Sequence, residues 1–152
     1  MTDGTGQTQD GRATVDLTFK SRPENLALAR LALTGIATRA GVSDETLADL
    51  KLAVTEACTN AIQHAYGDSV DGDIVVRYSV EAGRLSIEVE DRGAGFDAAK
   101  RAAGNGNGNG NGDRSNQGLG LMIIREISDE LTVTTGAAGT RIVFVKRLSD
   151  PD

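Results

Sequence analysis

Glu56-Ala-Cys-Thr-Asn60 is the stretch from which the rest of this chain can be read. It falls inside a helical pattern, and its carboxylate and carboxamide, four residues apart, stack one turn above the other on a single face. Two later runs extend the reading. Asp91-Arg-Gly-Ala-Gly95 follows a strand pattern, and Gly118-Leu-Gly-Leu121 opens a second helical pattern. An acid beside an amide, an aspartate before paired glycines and glycines at a helix start are the parts of a nucleotide and metal site. Each run is weak alone, so their order and spacing carry the inference.

The helix around the first run is expected to be capped by Ser43 and to continue to about Ala65. Leu47, Leu50, Val54, Cys58, Ala61 and Ala65 form its apolar stripe. Glu56, Asn60 and His64 form a second stripe away from the first. That stripe is either a solvated face or the lining of a pocket, and small neighbours at Ala53, Ala57 and Ala61 favour close approach of something. A neutral carboxamide oxygen suits Mg²⁺, which takes hard oxygen donors and keeps several waters. A carboxylate one turn away can orient a hydroxyl for attack on phosphorus. His64 reads as structural, near a helix C-terminus that favours a cation, with pocket contact as the alternative. It is the only histidine, which excludes a histidine metal cluster. Cys58, the only cysteine, lies on the apolar stripe and is expected to be buried and inert, a catalytic thiol being the sharper alternative.

Upstream, Ala13 to Lys20 alternates as a strand with Val15, Leu17 and Phe19 on one face. Ser21-Arg-Pro-Glu24 fits a capping box for a helix reaching about Ala40, with Gly41 as its stop. Residues 1–11 read as a disordered tail, ahead of a single domain over 12–148. Downstream, Asp73 to Val80 and Arg84 to Glu90 are two strands around a short hairpin loop. Asp91 shares the parity of Leu85, Ile87 and Val89, so it is expected to point inward. A buried carboxylate is costly unless hydrogen-bonded. An exocyclic purine amine would satisfy it, and Gly93 and Gly95 would let a flat base approach the backbone; the plain alternative is a tight turn. Thr140 shares the parity of Ile142 and Phe144, so its hydroxyl could reach the same floor or simply favour a strand.

Residues 97–117 have almost no apolar side chain and centre on repeated Asn-Gly. Such a segment buries too little to offset its ordering entropy, so it is expected to be a mobile lid, with Lys100, Arg101 and Arg114 as cations that could close over phosphates. A helix from Gly118 to about Glu130 follows, with Gly118 and Gly120 allowing phosphate to approach its first amides. Neither a Walker-type loop nor a Rossmann fingerprint is present. Strands at Leu131 to Thr135 and Thr140 to Lys146 close the chain. The order β-α-α-β-β-loop-α-β-β implies an α+β two-layer sandwich, a mixed, mostly antiparallel sheet with three helices on one face.

The bulk numbers agree. The 152 residues suffice for one domain with a real core, and 39% apolar with 25% charged residues suits a soluble protein. Aromatics are 3%, so the core must rest on Val, Ile, Leu and Ala. A net charge of -6 argues against direct nucleic-acid binding. No stretch approaches the roughly 20 apolar residues of a membrane span, and one cysteine allows no intrachain disulfide, so a cytoplasmic location is expected.

The chain resembles the GHKL ATP-binding fold shared by gyrase, sensor histidine kinases and their relatives, and within it the bacterial anti-sigma-factor serine kinases. The resemblance rests on Glu56-Ala-Cys-Thr-Asn-Ala-Ile-Gln-His-Ala-Tyr66, Val89-Glu-Asp-Arg-Gly-Ala-Gly-Phe96, Gln117-Gly-Leu-Gly-Leu-Met-Ile-Ile124 and Gly139-Thr140, and covers about residues 13–147. It implies ATP and Mg²⁺, with Asn60 on the metal and Glu56 as catalytic base. It implies that Asp91 accepts from adenine beside Gly93 and Gly95, and that Thr140 supports the base through water. Gly118, Leu119 and Gly120 would lie along the phosphates, and Arg114 would reach the γ-phosphate. The implied activity is transfer of the γ-phosphoryl of ATP to a serine of an anti-sigma-factor antagonist. The implied partners are that antagonist, a sigma factor held in an inhibited state, and a second copy in a homodimer. The implied role is transcription regulation in a stress response. A non-catalytic ATP-binding partner-switching module is the competing reading, and the presence of Glu56 favours the kinase.

Overall fold

The computed structural model describes residues 12–66, 72–92, 120–136 and 139–148. The chain opens with strand β1 (Ala13–Lys20), then a single 3-10 turn (Pro23–Asn25) leading into helix α1 (Leu26–Arg39). Helix α2 (Asp44–Asn60) continues directly into a π-helical segment (Ala61–Tyr66). Strands β2 (Asp73–Glu81) and β3 (Arg84–Asp91) form a hairpin. The described part of helix α3 covers 120–127, and β4 (Glu130–Gly136) and β5 (Gly139–Arg147) complete the described chain.

The five strands form one sheet in the order β1-β2-β3-β5-β4. Every pairing is antiparallel, so the parallel component that a mixed sheet would need is absent among the described residues. Strand alternation then sorts the side chains. Val15, Leu17 and Phe19 of β1, Ile74, Val76 and Tyr78 of β2, Leu85, Ile87 and Val89 of β3, and Ile142 and Phe144 of β5 share one face. They form a single core with Ala29 and Leu33 of α1, Leu50, Val54 and Cys58 of α2 and Ile124 of α3. Each fully buried aliphatic side chain contributes about 1.5–3 kcal/mol relative to exposure. The opposite face is polar. Arg77 meets Glu88 at 2.6 Å and Glu90 at 3.0 Å, and Arg141 meets Glu88 at 3.1 Å.

Local chemistry explains the boundaries. Helix α1 ends where Gly41 takes φ +79, with Gly41 N–H donating to Thr38 C=O at 3.1 Å and Val42 N–H to Ala37 C=O at 3.0 Å. That paired arrangement satisfies two end carbonyls. Ser43 caps α2, its hydroxyl accepting from Thr46 N–H at 3.1 Å. The β2–β3 turn has only Ala82 and Gly83 between its strands, at φ 54 and φ 75, the geometry of a tight hairpin turn whose twist matches its strands.

Two expected boundaries fail. The capping box at Ser21 does not form, because Arg22 is the residue before the 3-10 turn and no side chain caps it. Ser21 is instead buried, its N–H donating to Gly72 C=O at 2.8 Å, which ties the end of β1 to the start of β2. Helix α3 stops at 127 rather than near Glu130. Ser128 bonds back to Ile124 C=O at 2.7 Å, Asp129 N–H donates to Val145 C=O at 2.8 Å, and Glu130 already pairs with Val145 in the sheet. The expected tail over 1–11 and the whole of the expected lid over 97–117 lie outside the described residues.

Cys58 is fully buried, and burial pushes its thiol from the ordinary 9.0 up to about 12. Burial also raises the Tyr78 hydroxyl, which donates to Ala29 C=O at 2.6 Å. Both groups bind their protons more tightly folded than unfolded, so the Cys58 contribution is complete below 9.0 and is lost as pH rises toward about 12, and the Tyr78 contribution is lost only above the ordinary 10.0 of its hydroxyl. Urea melts should show stability declining across that window. At neutral pH the native thiol should resist a maleimide reagent that labels the urea-unfolded chain at once.

Candidate active site

Glu56 and Asn60 do not lie on a fully solvated face of α2. Glu56 and Asn60 are half-buried, and α3 begins against them. A side-chain carbon added to Gly120 would stand 3.2 Å from Glu56 Oε1 and 3.6 Å from both polar atoms of the Asn60 carboxamide. Glycine therefore lets the first turn of α3 seat directly on the acid–amide pair. The fold brings a carboxylate, a carboxamide and the first described turn of α3 to one place. Ala53 and Ala57 permit the close approach expected of them, and the neighbour is the core. They are fully buried in the core under α2, so their small size brings the helix close to the sheet.

Asp91 is the second component. It closes the inward row Leu85, Ile87, Val89, Asp91 on β3 and is only 3% exposed. Thr140 N–H donates to its Oδ1 at 3.2 Å. This contact needs the glycine that precedes Thr140. Gly139 has φ +129, in the region that favours glycine, and a Cβ there would collide with the Asp91 carbonyl oxygen and stand 3.0 Å from Oδ1. The start of β5 thus lies hard against the end of β3, at the edge of the core. The Thr140 hydroxyl shares a hydrogen bond of 3.1 Å with the hydroxyl of Thr135.

Of the residues expected from sequence, Glu56, Asn60 and Gly120 are brought together, and Asp91 and Thr140 form a second joined pair. Gly93, Gly95, Arg114, Gly118 and Leu119 lie outside the described residues, as do Lys100, Arg101 and the side chain of His64. Sequence reading missed Gly139 as a close-approach residue and missed Thr135 altogether. Counting back from the closing hairpin would have found Thr135, since Thr135 faces Thr140 in its register. The depression bounded by Arg77, Glu88, Glu90 and Arg141 lies on the outer face of the sheet, and its four charges already pair with one another.

Comparison with known proteins places this geometry. Residues 19–146 match the histidine kinase-like ATPase domain. The chain belongs to that family. A curated relative, the serine-protein kinase RsbW of Bacillus velezensis, is 35% identical over 138 residues, 89% of this chain and 86% of that protein. The serine-protein kinase RsbW of Listeria monocytogenes is 35% identical over 139 residues, covering 90% and 88%. Among solved structures, the RsbU and RsbW domains of Rv1364c from Mycobacterium tuberculosis superpose with a TM-score of 0.67 at 24% identity, over 91% of this chain and 33% of that one. That likeness establishes the shared fold. As a histidine kinase-like ATPase domain, the chain is built to bind ATP. Among the described residues, no helix is long and apolar enough to cross a membrane.

Gly139→Ala is expected to destabilise the fold by about 1–3 kcal/mol, because the strained backbone and the Asp91 carbonyl leave a methyl no place. Denaturant melts of the purified variant check this; an unchanged midpoint would show that β5 can shift away from Asp91 without loss.

Proposed function

We propose that this protein is an ATP-dependent serine kinase that phosphorylates an anti-sigma-factor antagonist and, in alternate complexes, binds and inhibits a sigma factor. The observation that carries the reading is the meeting of Glu56 and Asn60 with α3 at Gly120, its first described residue. Phosphoryl transfer asks a protein mainly to position the reactants and to stabilise charge. Free amides at a helix start suit phosphate oxygens, and the glycine there allows close approach. Asn60 offers a neutral carboxamide oxygen, a donor of the kind Mg²⁺ prefers, beside that helix start. When bound, Mg²⁺ would neutralise phosphate charge. Glu56 would take the proton of the substrate serine as its oxygen attacks the γ-phosphorus.

Asp91 supports the choice of nucleotide. A buried acceptor at the edge of an apolar floor suits an exocyclic amine, which adenine offers and the corresponding edge of guanine does not. Thr140 would supply a hydroxyl beside it, with Gly93 and Gly95 giving the base room. Gly118, Leu119 and Arg114 complete the phosphate side in this reading. The two RsbW relatives above, each a serine-protein kinase by name and matched over nearly their whole length, support the substrate class. Partner switching, a homodimer and a cytoplasmic location belong to the same proposal. The competing reading, a binding module that uses ATP only to shape a partner surface, leaves Glu56 without a role.

Asn60→Ala should weaken Mg-ATP binding at least tenfold by calorimetry, and unchanged affinity would remove the metal assignment. Glu56→Gln should bind ATP within about twofold of wild type yet lose at least about 100-fold in phosphotransfer to a serine-bearing antagonist. Retained transfer by that variant would sink the base role, while a wild-type chain that binds ATP and never transfers it would favour the binding module.

A further inference from the structure

We propose that Thr135 is a positioning residue for nucleobase selection, acting through Thr140. This rests on the reading above in which Asp91 and Thr140 meet the adenine edge. Thr135 is the inward-parity residue of β4 that faces Thr140 on β5, and Thr140 lies beside Asp91 on β3. The three side chains form a polar row across adjacent strands at the mouth of an otherwise apolar floor. The row is connected. Thr140 gives its amide proton to Asp91 Oδ1 at 3.2 Å, and its hydroxyl is 3.1 Å from that of Thr135.

A threonine hydroxyl has one proton to give and two lone pairs, and it rotates to suit its neighbours. Alone, the Thr140 hydroxyl could donate to a base or accept from one. Adenine presents an amine donor next to a ring-nitrogen acceptor. Guanine presents a carbonyl acceptor next to an N–H donor. An aspartate accepts from the adenine amine, and the hydroxyl beside it adds to that selection only while it acts as donor, directly or through one water. Thr135 sets that direction. By donating to the Thr140 oxygen, it turns the Thr140 proton outward toward the base. Chained hydroxyls polarise one another in the same sense. Thr135 adds to the selection made by Asp91 without touching the base itself.

The test uses the full chain and two probes, ATP and GTP, with affinities from calorimetry and stability from denaturant melts. Thr135→Val removes the hydroxyl, keeps the shape and suits an exposed edge strand, so the fold should persist. It should lower the ATP-over-GTP preference about three- to tenfold, the scale of one lost hydrogen bond. Thr135→Ser, which keeps the hydroxyl, should restore the preference to within about twofold. Asp91→Asn serves as the control for the underlying reading. Loss of the preference in Asp91→Asn with none in Thr135→Val would overturn the role of Thr135 alone. An intact preference in Asp91→Asn would overturn the base site and this inference together. Equal loss in Thr135→Ser and Thr135→Val would show that a hydroxyl at this position is not enough to keep the preference, and would overturn the hydrogen-bond relay.

Discussion

A carboxylate on the inward face of a sheet must find donors, and the Asp91–Thr140 joint is where this fold supplies one. Period-two alternation on β3 turns Asp91 to the same side as Leu85, Ile87 and Val89. The Thr140 amide then meets Oδ1 at 3.2 Å, and that meeting holds the end of β3 and the start of β5 in contact. Gly139 makes it sterically feasible. The apolar floor under the helices thereby ends in a fixed acid rather than a loose one. A rigid acceptor at the rim of a dry floor discriminates among flat polar ligands better than a mobile one, because no ordering entropy is lost when it binds.

The second half of the site depends on how α2 and α3 lie on the same sheet. Buried alanines and Cys58 bring α2 down onto the core, which leaves the Glu56–Asn60 stripe at its flank. Helix α3 reaches that flank with a glycine as its first described residue, so its amides and the acid–amide pair share one space. Phosphoryl transfer in this family is a problem of position and charge, and both are settled by backbone placement. The π-helical segment begins immediately after Asn60. Such segments are rare and recur at functional sites, and here one lies next to the proposed metal ligand.

Much of the architecture was legible because its signals are local. Gly41 as a helix stop and Ser43 as a cap each depend on a few neighbouring residues and form as read, while the expected hairpin loop is one residue shorter because Glu81 still pairs with Arg84. The inward direction of Asp91 followed from parity alone. The Ser21 capping box was misread because a better partner, the Gly72 carbonyl, arrives from about fifty residues away. The alanines beside Glu56 allow the close approach that was read from their size, but helix faces seen in projection do not say that the neighbour is the core. Thr135 was overlooked because its meaning lies across a hairpin, in the register that sets it against Thr140.

Alternation, caps and glycine placement determined from the chain alone which segments become helix or strand and which side chains face inward. Those properties obey rules that act within a few residues. The sheet order β1-β2-β3-β5-β4, the seating of Gly120 on Glu56 and Asn60, and the lock of Gly139 over Asp91 belong to the tertiary structure. They depend on close packing between segments far apart in the chain, where a single methyl group decides whether two elements can touch.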